Sequence, residues 1–273
     1  MTIHCLVNDL SRSGLPAEHG LSLLVETDDG LRLLFDTGQG TLFADNARCL
    51  GLSLDDVALA VLSHGHYDHG GGLSTVLHLN ATAPVYVRSG AFVSRSSLRD
   101  DGIRFIGLDR SLLEDSVLSR RLVFCRGVCR PAPGLTLFSD VDASILPPPA
   151  NRRLFLSDGC TPDPVTDEQN LIIEEDGRTV LIAGCAHRGI INIMRRAEEI
   201  TGRRLTHVLA GLHLMRGCDD GYISSLSTAL ASFPSCRFVT FHCTGADAYK
   251  RLNALLGDRI CYLSCGEKLN IGG

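Results

Sequence analysis

An α/β fold built from two related halves, packed sheet on sheet with helices outside, is the class this sequence predicts. Three observations carry it. Short apolar runs of strand length recur along the chain and hand over to loops rich in glycine. Four of those runs end at a histidine: His64, His187, His213 and His242. A hairpin followed by a helix and further strands occurs near the start and again after residue 170. In α/β layers, ligands collect at the carboxyl ends of strands, where loops from distant parts of the chain converge.

Taken in order, Thr2 to Val7 reads as a strand, Leu21 to Thr27 as a second and Leu31 to Phe35 as a third. Asp29-Gly30 supplies the hairpin turn between the last two. Asp36-Thr37-Gly38 ends that hairpin, and Thr41 to Leu50 follows as a helix. Val57 to Leu62 has the length and branched content of a buried strand. It runs into His64-Gly65-His66-Tyr67-Asp68-His69 and then Gly70-Gly71-Gly72.

Three imidazoles and a carboxylate within six residues would each need a partner in a core. As metal ligands they explain one another. In an extended loop, His64 and His66 face the same way because side chains alternate. Asp68 and His69 lie past a bend and address a second cation, about 3.5–4 Å from the first in two-metal sites. The competing reading is a solvated loop with incidental histidines.

Leu73 to Leu79 is a further helix and Pro84 to Arg88 a strand. Residues 90–160 read as β-rich with long loops, including apolar runs at Arg121–Phe124 and Leu135–Phe138. A second hairpin, Leu171–Glu175 and Thr179–Ala183, leads to Gly184-Cys185-Ala186-His187 and a helix from Ile190 to about Thr201. Leu205 to Ala210 and Arg237 to Phe241 are the remaining strands, ending at Gly211-Leu212-His213 and His242-Cys243-Thr244-Gly245, with a helix over Ala246–Leu256.

The composition, 44% hydrophobic and 21% charged over 273 residues, is that of a globule with room for one α/β domain or two. A net charge of −5 without a basic run argues mildly against a nuclease that grips phosphate backbones; the expected partner is a small-molecule substrate. Residues 1–10 lack a signal-peptide pattern, and no run reaches the roughly 18 apolar residues of a spanning helix. Together with eleven cysteines, this leads us to expect a reducing, cytoplasmic setting and no membrane partner. Oligomeric state is left open.

The HxHxDH stretch His64–His69 and the order of the later histidines resemble the metallo-β-lactamase superfamily. The resemblance runs from the Asp36 strand to His242. It implies a single domain over 1–273, a four-layered αββα sandwich of two mixed β-sheets with outer helices. It also implies an enzyme with one or two metals, zinc first, with manganese or iron as alternatives. His64, His66 and His187 would hold the first metal, and Asp68, His69 and His242 the second. Asp36 would orient a ligand histidine or fix its loop; a plain turn aspartate is the alternative. Members with two metals commonly place a bridging aspartate where this chain has Gly211-Leu212-His213. His213 is therefore a ligand, a proton donor, a substrate contact or a structural residue.

The expected activity is hydrolysis of an ester or phosphoester-type small molecule, with Asp68 orienting the water and His213 protonating the leaving group. The segments AEHGLS at 17–22, DEQNLII at 167–173, GCAHRGIINI at 184–193, GLHL at 211–214 and HCTG at 242–245 resemble a narrower subgroup, the dihydropterin-6-yl-methyl-aminobenzene ribofuranoside 5′-phosphate synthases. That likeness implies the alternative, a transferase joining a dihydropterin diphosphate to an arylamine ribofuranoside phosphate. His19 and Cys185 read as packing residues first and pocket residues second.

Overall fold

The computed structural model describes residues 1–272. The first half opens with β1 (Thr2–Val7), β2 (Ser22–Glu26) and β3 (Arg32–Phe35), then α1 (Leu42–Cys49) and β4 (Leu59–Val61). The histidine loop becomes a single turn, α2 (Tyr67–Gly70), before α3 (Leu73–Leu79) and β5 (Val85–Arg88). Strands β6 (Arg95–Arg99), β7 (Gly102–Phe105), β8 (Leu122–Cys125), β9 (Val128–Ala132), β10 (Leu135–Phe138) and β11 (Leu154–Leu156) fill the middle. The second half holds β12 (Asn170–Glu175), β13 (Arg178–Ala183), α4 (Ile190–Thr201), β14 (His207–Ala210), α5 (Asp220–Ala231), β15 (Arg237–Thr240), α6 (Ala246–Leu256), β16 (Ile260–Tyr262) and β17 (Lys268–Asn270).

Two seven-stranded sheets result, ordered β17-β1-β2-β3-β4-β5-β8 and β16-β15-β14-β13-β12-β10-β9. Each contains an antiparallel hairpin, β2-β3 or β12-β13, continued by parallel strands. That repetition is the pseudo-symmetry expected from the sequence. The last strand, β17, returns to pair with β1, so the two halves are tied at the chain ends.

Alternation along the strands builds three apolar layers and hence four structural ones. Leu23, Val25 and Phe35 meet Leu171, Val180, Ile182 and Leu209 between the sheets. Leu24, Leu34 and Ala60 point the other way, against Phe43, Leu73 and Val76 of the helices on one face. Leu181 and Val208 do the same toward Ile191, Met194, Ile223 and Leu252 on the other. Each fully buried aliphatic side chain contributes about 1.5–3 kcal/mol, so the parallel strand ends are held rigidly. This is the αββα sandwich.

Several elements escaped sequence reading, among them β16 and β17, which lie beyond the last strand expected. Helix α5 was not anticipated, although Asp219 caps it by accepting from the Tyr222 N–H, and Ile223, Leu226 and Leu230 bury one face. Strands β11, β6 and β7 form a small third sheet. In β6, Arg95, Ser96 and Ser97 are buried although polar, so no apolar pattern betrayed it. Among the described residues no helix is long and apolar enough to cross a membrane.

Candidate functional site

The parallel strands of both sheets end on one rim, and the site is assembled there. At the end of β4 the chain turns at Ser63, whose N–H and hydroxyl both donate to Asp36, each at 2.7 Å. Gly65 lies so close to the Ala91 carbonyl that any side chain would overlap it. Its N–H donates to Asp167 at 2.7 Å. Asp167 in turn is gripped by the buried Arg95, which also pairs with Asp163 at 2.9 Å. His66 then enters α2 in an extended conformation, so that Asp68 and His69 lie past the bend.

Two imidazole clusters face the rim. In the first, His64 Nε2 lies 2.8 Å from His66 Nδ1 and 3.2 Å from His187 Nε2. The proton positions follow from the outer partners. Ser63 spends its hydroxyl hydrogen on Asp36, so it accepts from His64 Nδ1 at 2.9 Å. Asn151 donates its amide to the His187 carbonyl at 2.7 Å and accepts from His187 Nδ1 at 3.0 Å. Both Nε2 atoms are thus bare lone pairs facing each other. Burial first, then neighbouring imidazoles, holds His64 well below its usual pKa. Burial does the same for His187 and His66. The buried His66 Nε2 has no hydrogen-bond partner among the described residues.

In the second cluster His69 Nε2 lies 3.2 Å from His242 Nε2 and 3.8 Å from Asp68 Oδ2, and His242 Nε2 lies 3.3 Å from the same oxygen. Asp36 accepts from His69 Nδ1 at 2.6 Å. Asp9 accepts from His242 Nδ1 at 3.0 Å and from His19 Nδ1 at 3.0 Å. Against the burial that lowers it, the hydrogen bonds of Asp68 and Asp9 hold the His242 pKa up. A cation placed between His242, His69 and Asp68 would have to displace that proton.

The facing imidazole pairs fit the ligand spacing of a tetrahedral cation, whereas His66, 2.8 Å from His64, and Asp68, 3.8 Å from His69, depart from it. Zinc-type bonds of about 2.0–2.1 Å to nitrogen set ligand atoms roughly 3.3–3.4 Å apart, against 3.2 Å for each facing nitrogen pair. Neutral imidazole suits zinc, copper, iron and nickel, while the carboxylate keeps harder ions such as manganese in play. Outer partners that fix the imidazole proton are also what metal sites require.

Backbone strain collects here. Of eight non-glycine residues with positive φ among the described residues, Asp36, Ala186, His213 and His242 belong to this rim. Each left-handed residue costs on the order of 1 kcal/mol or more. His213 turns at the end of β14; its ring centroid lies 4.4 Å from that of His187. Cys185 Sγ lies 3.2 Å from His69 Nε2, and the Cys243 sulfur accepts from the His213 N–H at 3.2 Å.

A cleft of about 220 Å³ opens above the site. His19, His66, Asp68, Cys185, His213 and His242 form its floor and one wall. Arg99, Arg153 and Arg216 line the other. Asp100 pairs with Arg153 at 2.8 Å and with Arg216 at 3.0 Å, so one carboxylate serves two of the three guanidinium groups.

The residues singled out in the sequence therefore meet. His64, His66 and His187 converge, as do Asp68, His69 and His242, with Asp36 behind His69. His213 borders the cleft beside His187. Cys185 and His19, read first as packing residues, are at the cleft instead. Sequence reading missed Asp9, Asn151, Asp167 and Glu168. Glu168 accepts the His187 and Arg188 N–H groups at 2.6 and 2.9 Å, and burial pushes its pKa up to about 7. The pairs Asn8-Asp9 after β1 and Asp167-Glu168 before β12 were the available signals.

The family model described as the metallo-beta-lactamase superfamily matches residues 15–233. A solved structure described as Tm1679, a metal-dependent hydrolase of the beta-lactamase superfamily, is 31% identical, covers 100% of both chains and superposes with a TM-score of 0.83. The 7,8-dihydropterin-6-methyl-4-(beta-D-ribofuranosyl)-aminobenzene-5′-phosphate synthase of Methanocaldococcus jannaschii is 28% identical over 90% of this chain and 88% of its own. Zn(2+)-bound PqqB from Methylobacterium extorquens, 14% identical, shares the fold with a TM-score of 0.59 over 99% of this chain and 100% of its own.

Proposed function

This chain belongs to the metallo-β-lactamase superfamily and is an enzyme of that fold, and from that premise we propose that it is a zinc-class metallohydrolase of small esters or phosphoesters. One observation carries the reading: two pairs of buried imidazole nitrogens face each other at 3.2 Å beneath the cleft, and the Nδ1 atom of each ring meets an outer partner. His64, His66 and His187 would hold one cation, and Asp68, His69 and His242 a second. Bound there, such a cation lowers the pKa of water to about 7 and polarises the attacked oxygen.

The chain's own groups do the rest. Burial would raise the Asp68 pKa, but His69 and His242 hold it well down, so the carboxylate stays an acceptor and orients a water hydrogen. His19 Nε2, 3.3 Å from Asp68 Oδ2, steadies that carboxylate from the solvent side. His213, half-buried on the wall beside His187, donates a proton to the leaving oxygen. The arginine wall favours an anionic substrate, since its three guanidinium groups are faced by a single carboxylate, Asp100. The same reading takes residues 1–273 as one domain working in the cytoplasm on small molecules.

Metal analysis of the purified protein, with nitrophenyl esters and phosphoesters as probes, tests this. His66→Ala should lose metal and activity together; full activity in a metal-free His66→Ala protein would end the proposal. A second reading, a pterin transferase, draws on the methanogen synthase at 28% identity and on the arginine wall. Incubating a dihydropterin diphosphate with an arylamine ribofuranoside phosphate separates the two, because only the transferase yields coupled product.

A further inference from the structure

Gly211-Leu212-His213, at the end of β14, offers no carboxylate to stand between the two imidazole clusters. Gly211 is forced to be small: a Cβ there would sit 2.5 Å from the Gly184 carbonyl oxygen and 2.6 Å from the Cys243 sulfur. A group that reaches both clusters comes from the neighbouring strand. Cys185 follows β13, its side chain is 3% exposed, and its sulfur lies 3.2 Å from His69 Nε2. That sulfur belongs with His64 and His187 in one set of potential ligand atoms lying within 4.8 Å of one another, and with His69 and His242 in another. Among the described residues no other cysteine joins either set: Cys243 groups only with Cys185 and His213.

We infer that the Cys185 thiolate is the protein ligand shared between the two cation positions, in the place a bridging carboxylate would hold. The inference rests on the metal reading above. Zinc-type bonds of about 2.3 Å to sulfur and 2.0–2.1 Å to nitrogen set a tetrahedral S···N edge of roughly 3.6 Å, a few tenths from the 3.2 Å observed. On binding, the thiol proton is released to solvent and the sulfur bonds the cation. A thiolate also narrows the metal, because soft sulfur favours zinc, cobalt or iron(II) over manganese and magnesium. Ala186, left-handed at φ 51°, lets Cys185 and His187 both serve the rim.

Cobalt(II) substitution reads this without turnover. Wild-type protein should show visible ligand-field bands from the imidazole sites and a near-ultraviolet sulfur-to-cobalt charge-transfer band. Cys185→Ser should keep the first, lose the second, and bind its second cobalt at least roughly 100-fold more weakly, the upper end of what losing an outer partner causes. Cys243→Ser should keep the charge-transfer band. A band persisting in Cys185→Ser, or absent from wild-type protein that does bind cobalt, overturns the inference. Wild-type protein that takes up no cobalt overturns the metal reading itself. X-ray absorption on the wild-type zinc protein, seeking a sulfur at about 2.3 Å, answers the question even where variants fold poorly.

Discussion

Asp36→Asn is the perturbation with the most informative consequence. The carboxylate is fully buried and accepts three hydrogen bonds, from the Ser63 N–H at 2.7 Å, the Ser63 hydroxyl at 2.7 Å and His69 Nδ1 at 2.6 Å. Its backbone is left-handed at φ 59°, a conformation asparagine tolerates, so the main chain need not move. An amide, however, can present only one oxygen. With NH₂ at the Oδ2 position, His69 must accept at Nδ1 and carry its proton on Nε2, where it no longer faces His242 with a lone pair. With the amide reversed, NH₂ opposes the Ser63 N–H, leaving a buried donor unpaired at a cost of about 1–3 kcal/mol. The expected result is a 10- to 100-fold weaker second metal, about 1.4–2.7 kcal/mol. The metal-free fold should lose on the order of 3 kcal/mol, since hydrogen bonds to a charged group contribute about 1.5–3 each. Zinc titration against a chromogenic chelator and urea unfolding of the chelator-treated protein measure the two. An affinity for the second ion within twofold of wild type would refute the proton-placement argument.

Further outcomes follow from other contacts. His213→Asn should leave metal content unchanged and lower kcat by roughly 10²–10⁴, the range of general acid catalysis; metal loss in the variant would make it a ligand instead. Gly65→Ala should be destabilised by about 3 kcal/mol or more, because its methyl overlaps the Ala91 backbone; thermal unfolding near the wild-type Tm would contradict the close approach. Glu168 has its pKa raised by burial from 4.5 to about 7, so its contribution is complete below pH 4.5 and fades as pH rises through 7. Metal-free wild-type protein should therefore lose on the order of 3 kcal/mol between those limits relative to Glu168→Gln. Parallel urea-unfolding curves at pH 5 and pH 8 for both proteins would remove that assignment.

The degree to which this site could be read from the chain varies with distance along it. His64, His66, Asp68 and His69 were legible because a six-residue loop leaving a strand fixes their directions locally. Helices α1, α3, α4 and α6 were legible for the same reason, each burying one periodic face. Strand β6 was not: its Arg95, Ser96 and Ser97 are buried yet polar, and only Asp163 and Asp167, some 70 residues on, make Arg95 affordable there. Helix α5 carried a readable cap at Asp219 but is broken up by glycine and serine.

What the sequence by itself determined is the inventory of candidate ligands and the order in which strands deliver it. What only the tertiary structure decided is the protonation pattern that makes those ligands usable. Asp36 meets His69 across 33 residues, Asn151 meets His187 across 36, and Asp9 meets His242 across 233. Each of those contacts fixes which ring nitrogen is bare. Cys185 is the same case: a small buried thiol by composition, and a sulfur between two imidazole clusters once the sheets have packed. A strand's periodicity is a local property of the backbone, whereas the hydrogen atom on an imidazole goes wherever the nearest acceptor happens to be, and that acceptor arrives from another part of the chain.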